Sequence, residues 1–240
     1  MATRFYFPSS GAGAAVNVTD FTGWIDSGVN RESPDLECDV KKTNSSIEQG
    51  TLLTWSNLLD KTCARQFVSK PIRGQTISGT VKLQIAGEAP HDAGDVNTSL
   101  LRILVVSNDG TTVRGTLLEL GNHFANVEFS IDTLDVLDPR NITIADGAAL
   151  STVVTNDGDR IVVQIGFTDA GSGNDTKLKA KYQYGDDQST DLPEDETTQG
   201  VSNNPWIEFS DNINFFHNVF QSAGKFSCFD GGSVTEGFRG

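Results

Sequence analysis

The chain has 240 residues, a hydrophobic fraction of 37% and a formal net charge of −14. A chain of this length and composition can bury a sizeable core, which excludes disorder of the whole chain. Nucleic-acid binding requires clustered Lys and Arg, whereas 18 basic residues are scattered here among 32 acidic ones. We therefore expect a protein that binds neither nucleic acid nor an anionic membrane.

The N-terminal region predicts synthesis and retention in a cytosol. Before Pro8 it offers only Phe5, Tyr6 and Phe7 as an apolar stretch, which is too short for a secretory signal. The longest aliphatic run, residues 103–106, is far below the roughly 20 residues of a membrane-spanning helix. We expect the cysteines to be reduced thiols in such a compartment; they are Cys38, Cys63 and Cys228.

Alternation of apolar and polar residues with a period of two predicts β-strands along the chain. The pattern is regular over residues 76–85, 160–167 and 177–184, and it indicates one face in a core and one in water. Turn signals stand at residues 108–110 and 156–159, where glycine follows Asn-Asp. Residues 51–59 fit either a short helix or a strand.

The succession of short strands predicts an all-β fold, an antiparallel β-sandwich or jelly roll, over residues 1–210. Residues 211–240 form a separate C-terminal extension or arm in this interpretation. We expect its aromatic rings to dock either on the home sandwich or on a neighbouring subunit. The region holds six of the 14 phenylalanines, namely Phe215, Phe216, Phe220, Phe226, Phe229 and Phe238.

The sequence lacks the motifs of common catalytic sites. His91, His123 and His217 are far apart and have no zinc-ligand spacing. No nucleophile elbow of the serine hydrolases and no phosphate-binding loop is present. We therefore predict a non-enzymatic protein with no catalytic residue and no metal ligand.

An acidic stretch at residues 185–196 holds six carboxylates and no basic residue. Its plain interpretation is a solvated loop. Closely spaced carboxylates can also supply the six to eight oxygens that Ca²⁺ takes, so a calcium site is a weaker alternative. Two carboxylates across a groove would suit a polysaccharide-cleaving enzyme, which is the least favoured interpretation.

Seven motifs between residues 3 and 210 form a set. They occupy residues 3–8, 66–71, 75–82, 109–117, 157–166, 191–193 and 205–210. As a set they resemble the poorly characterised, jelly-roll-like virion structural proteins of tailed bacteriophages. The resemblance implies a virion protein that is assembled in the bacterial host cytoplasm and has the major capsid protein or tail proteins as partners.

Two functions are carried forward from the sequence. The first is a capsid decoration or cement protein, expected to be a homo-oligomer, that stabilises the shell through contacts between subunits. The alternative is a carbohydrate-binding module of a phage tail or fibre. That module would need exposed aromatic platforms, for which the sequence offers Trp24, Trp55, Trp206, Tyr182 and Tyr184.

Overall fold

The computed structural model describes residues 2–10, 36–38, 40, 42, 44, 48–49, 53–55, 62–88, 99–120, 140–143, 147–167, 178–195 and 203–216. All regular secondary structure in these residues is β-strand, arranged in two main sheets and one two-stranded ribbon. The predicted all-β sandwich is confirmed. No helix in the described part of the chain could cross a membrane.

The first sheet has eight strands, all paired antiparallel. They are β1 (Thr3–Tyr6), β3 (Glu48–Gln49), β4 (Leu53–Trp55), β7 (Thr80–Glu88), β10 (Arg140–Thr143), β11 (Ala148–Ala149), β14 (Leu178–Tyr184) and β15 (Trp206–Phe209). The main path runs β1-β15-β7-β14-β3, while β10 and β11 pair with β7 and β4 pairs with β14. The first and last described strands of the chain are thus neighbours, with β7 beside them.

The second sheet has five strands in the order β2-β5-β13-β8-β9. They are β2 (Leu36–Cys38), β5 (Thr62–Ser69), β8 (Ser99–Val106), β9 (Val113–Leu120) and β13 (Arg160–Phe167). Its pairs are antiparallel except that β2 runs parallel to β5. The ribbon consists of β6 (Thr76–Ile77) and β12 (Val153–Val154).

An apolar core joins the two main sheets. Phe5 and Phe209 from the first sheet and Phe67 and Val163 from the second belong to one cluster of buried residues. The rings of Phe5 and Phe209 meet edge to face with 5.8 Å between centroids. Each fully buried side chain of this kind stabilises the fold by about 1.5–3 kcal/mol.

The second face of β13 is also buried, which corrects the expectation of a solvated face. Val162 and Gln164 lie on the side opposite Val163, and both are 0% exposed. Val162 belongs to a second apolar cluster with Val68, Leu104 and Val106. A glutamine in an alternating pattern marks the polar face of a strand, but it does not show whether other residues pack over that face.

Both predicted turns are present. Gly110 has a φ of 75° in the hairpin between β8 and β9, and Gly158 has a φ of 93° just before β13. Hydrogen bonds from Ser107 and Thr111 lower the pKa of Asp109, within the hairpin turn, to about 2. Of residues 51–59, the described part is strand β4, so the strand interpretation holds there.

Candidate functional site

A cluster of charged and aromatic side chains lies on the outer face of the first sheet. Phe5 points into the core, so its neighbours Arg4 and Tyr6 point outward from β1. On β15, Trp206 and Glu208 occupy the same outer face. The strand register places Arg4 opposite Glu208 and Tyr6 opposite Trp206.

Residues 186–195, called the strap below, lie over this outer face. The indole Nε1 of Trp206 donates a hydrogen bond of 2.8 Å to the carbonyl oxygen of Leu192. The Leu192 amide donates one of 2.9 Å to the carbonyl oxygen of Asn204. Leu192 and Trp206 are buried together with Ala86, and Tyr6 packs against them. The strap is therefore a packed part of the fold.

The carboxylate of Asp191, in the middle of the strap, accepts hydrogen bonds from four side chains. Arg4 Nη1 and Tyr6 Oη reach its Oδ2 at 3.0 and 2.9 Å. Lys42 Nζ and Asn204 Nδ2 reach its Oδ1 at 2.8 and 3.1 Å. Burial alone would raise the pKa of Asp191, but these donors, Lys42 foremost, lower it below its usual value.

Arg4 is fixed on three sides. Its Nε lies 3.0 Å from Glu208 Oε2, and its guanidinium carbon lies 3.7 Å from the centroid of the Trp206 ring. A guanidinium over an indole gains a cation–π attraction in addition to its ion pairs. Burial would lower the pKa of Arg4, yet the carboxylates of Glu208 and Asp191 raise it overall. The side chain stays positively charged.

Tyr6 provides a pH-dependent prediction. Burial, followed by the hydrogen bond to Asp191, raises the pKa of its phenol to about 12. The folded protein then keeps a proton that the unfolded chain loses near pH 10, as expected of a free tyrosine. The contribution to stability is full below about pH 10 and is lost as the pH rises towards about 12.

The measurement is the phenolate absorbance of the native protein, taken as a difference between wild type and Tyr6→Phe. We expect the difference signal to appear near pH 12, and the Tyr6→Phe variant to lose this part of the alkaline stability dependence. A difference signal centred at about pH 10, the ordinary value, would contradict the hydrogen-bonded environment.

The strap is solvated only in part: Asp187, Ser189, Thr190 and Glu194 are exposed, whereas Asp186 and Leu192 are buried. Besides Asp191, the Glu194 carboxylate pairs with Lys82 Nζ at 2.6 Å, and Asp186 is 0% exposed. Asp187 and Glu194 are both exposed, and Asp187 Oδ1 accepts a hydrogen bond from the Nε2 of its neighbour Gln188. Within the described residues no group of three or more His, Cys, Asp or Glu could hold a metal ion. The calcium alternative over 185–196 stays a prediction, and Glu196 lies outside the described residues.

The predicted docking phenylalanines fall into two groups. Phe215 forms an isolated bridge with Ile72, and its ring packs 5.9 Å from that of Phe5. The Phe216 amide donates a hydrogen bond to Pro71 at 2.8 Å. The start of the Phe-rich segment thus packs on its own sandwich. The remaining four lie outside the described residues; they are Phe220, Phe226, Phe229 and Phe238.

Three of the five aromatic residues proposed as platforms for carbohydrate binding are buried. Trp206, Tyr182 and Tyr184 are at most 2% exposed, so none can present a ring face to a sugar. Trp24 and the side chain of Trp55 lie outside the described residues, as do the three histidines considered as metal ligands. The carbohydrate-binding alternative stays a prediction that depends on those two tryptophans.

Sequence reasoning did not identify Arg4, Tyr6 and Lys42 as parts of a site. Arg4 and Tyr6 alternate with apolar residues in a strand-like pattern, which was a usable signal for a polar outer face. Lys42 carries no signal of its own. Its partner Asp191 is distant in sequence, and only the fold brings the two together.

No family model and no curated protein matches the chain. Among solved structures, two crystal structures of a CocE/NonD family hydrolase from Staphylococcus aureus are similar, with 10% identity and a TM-score of 0.46, and 11% identity and 0.42. Each match covers 89% of this chain and 36% of the hydrolase chain, so this chain spans about a third of the hydrolase's length. The reported structural neighbours are hydrolase chains and no similarity to a phage protein is shown, so the resemblance to phage virion proteins is wrong.

Proposed function

We propose that this chain is a non-enzymatic β-sandwich module that acts by binding other protein subunits, and that it forms a homo-oligomer. The observation that supports this best is the anchoring of the start of the Phe-rich segment. Phe215 forms a bridge with Ile72, and its ring centroid lies 5.9 Å from that of Phe5. The segment is thus attached to the sandwich at a defined point.

The docking surface of this proposal is the Phe-rich segment beyond residue 216. The Phe215 ring packs on Phe5 and the Phe216 backbone is bonded to Pro71, so the rings proposed to reach a partner are Phe220, Phe226, Phe229 and Phe238. An assembly contact needs buried apolar area, to which aromatic rings contribute more than most side chains. The capsid decoration or cement role in a virion stays a prediction, and the family resemblance no longer supports it.

The test is to replace Phe220, Phe226, Phe229 and Phe238 together with alanine in the full chain. Sedimentation velocity should show an oligomer for the wild type and a monomer for the variant. Urea denaturation of the variant should give the stability of wild type diluted until it dissociates, because in this proposal the rings act only between subunits and assembly itself stabilises the folded state. A wild type that is monomeric at all concentrations, or a variant that keeps the oligomer, would overturn the proposal.

The matched control is Phe215→Ala. This ring packs on Phe5 and the core of the same chain, so its loss should lower the free energy of unfolding by about 1–3 kcal/mol and leave the oligomer intact. The two variants thus separate a ring that closes the home sandwich from rings that reach a neighbour. The control fails if Phe215→Ala dissociates the oligomer without loss of stability.

A further inference from the structure

The environment of Asp191 has the form of a ligand-binding site for a carboxylate. Four donors approach the two carboxylate oxygens, two to each oxygen, at distances between 2.8 and 3.1 Å. Two of them, Arg4 and Lys42, are cations, and two, Tyr6 and Asn204, are neutral. Charge-assisted bonds divided over both oxygens are the usual way in which proteins recognise a carboxylate.

Several of these donors are held by contacts that do not involve the Asp191 side chain. Arg4 is bonded to Glu208 and lies over Trp206. Lys42 Nζ donates to the carbonyl oxygen of Gln188 at 3.1 Å and lies 5.0 Å from the centroid of the Tyr6 ring. The donors would therefore keep much of their arrangement if the carboxylate alone were removed.

The strap has anchors other than Asp191. Leu192 is buried and bonded through its backbone to Trp206 and Asn204, and Glu194 pairs with Lys82. Loss of the Asp191 carboxylate would thus leave the strap in place and remove the anion that Arg4 and Lys42 share, while Arg4 keeps its ion pair with Glu208. A vacated site of this charge attracts an anion.

We infer that Arg4, Tyr6, Lys42 and Asn204 form a carboxylate-binding site that Asp191 fills from within the chain, and that an external carboxylate takes its place when the Asp191 carboxylate is absent. The side chain of Asp191 is 22% exposed, so the site is open to a small ion from solvent. In the intact chain the tethered Asp191 has a high effective concentration and excludes free carboxylates.

The experiment uses the full chain with Asp191→Ala, which removes a group equivalent to formate. We expect its melting temperature to fall below that of the wild type and to rise again, saturably, with formate. Chloride at the same ionic strength should have no such effect. In solution NMR, ¹³C-labelled formate should show saturable broadening with the variant and none with the wild type.

Two control variants make the result specific. Asp187→Ala removes an exposed carboxylate from the same strap and should show no response to formate. Arg4→Ala combined with Asp191→Ala should lose the response, because a principal cationic donor is gone. If Asp191→Ala does not fold alone, the yield of soluble protein after refolding in formate against chloride gives the same answer. Equal effects of formate and chloride, or equal responses of wild type and variant, would overturn the inference.

Discussion

Replacement of Trp206 with alanine is expected to lower the free energy of unfolding by about 3–5 kcal/mol, the usual range for truncation of a large buried aromatic side chain. The ring is 1% exposed and packs with Ala86 and Leu192, while Arg4 covers its face. Its removal leaves a void under the strap and takes away the donor to the Leu192 carbonyl. Urea denaturation monitored by circular dichroism gives the measurement.

The control for this prediction is Trp206→Phe. Phenylalanine keeps most of the apolar contact but cannot donate to the Leu192 carbonyl oxygen, so we expect a smaller loss, of about 1–3 kcal/mol. The pKa of Tyr6, whose raised value depends on burial, should also move towards its ordinary value in Trp206→Ala and less so in Trp206→Phe. Equal and small losses in both variants would mean that Trp206 does not anchor the strap.

The fold class could be predicted because it depends on local patterns. Alternation over residues 160–167 identified β13, and the Asn-Asp-Gly signals placed the turns at Gly110 and Gly158. The pattern could not predict whether the polar face of a strand is exposed to solvent or covered by other parts of the chain. Gln164 looks like a solvent-facing residue in the sequence, but it is completely buried because the second face of its sheet is also covered.

The candidate site could not be predicted because its partners are distant along the chain. The acidic stretch has no basic residue within it, so the sequence suggested a solvated loop or a calcium site. In the fold, Arg4, Lys42 and Lys82 supply the missing positive charges. Local composition therefore showed that the strap is acidic, but it did not show which basic side chains from distant segments pair with its carboxylates.

Gly79 combines a left-handed backbone conformation with a close approach to a neighbouring side chain. Its φ is 78°, and an added Cβ would overlap the hydroxyl oxygen of Ser210. That oxygen accepts a hydrogen bond of 2.9 Å from the Thr80 amide, so it cannot move away without loss of the bond. The Gly79 carbonyl oxygen also accepts a bond of 2.8 Å from the Leu150 amide, which further fixes the turn.

Gly79→Ala is expected to lower the free energy of unfolding by about 2–4 kcal/mol, of which about 1–2 kcal/mol comes from the left-handed backbone conformation and the rest from the overlap. Thermal and urea denaturation measure the total. Ser210→Gly alone should cost about 1 kcal/mol through the lost hydrogen bond to Thr80. In the double variant the overlap is absent. Its loss of unfolding free energy should therefore be smaller than the sum of the losses in the two single variants. Strict additivity would assign the whole cost of Gly79→Ala to the backbone conformation and none to contact with Ser210.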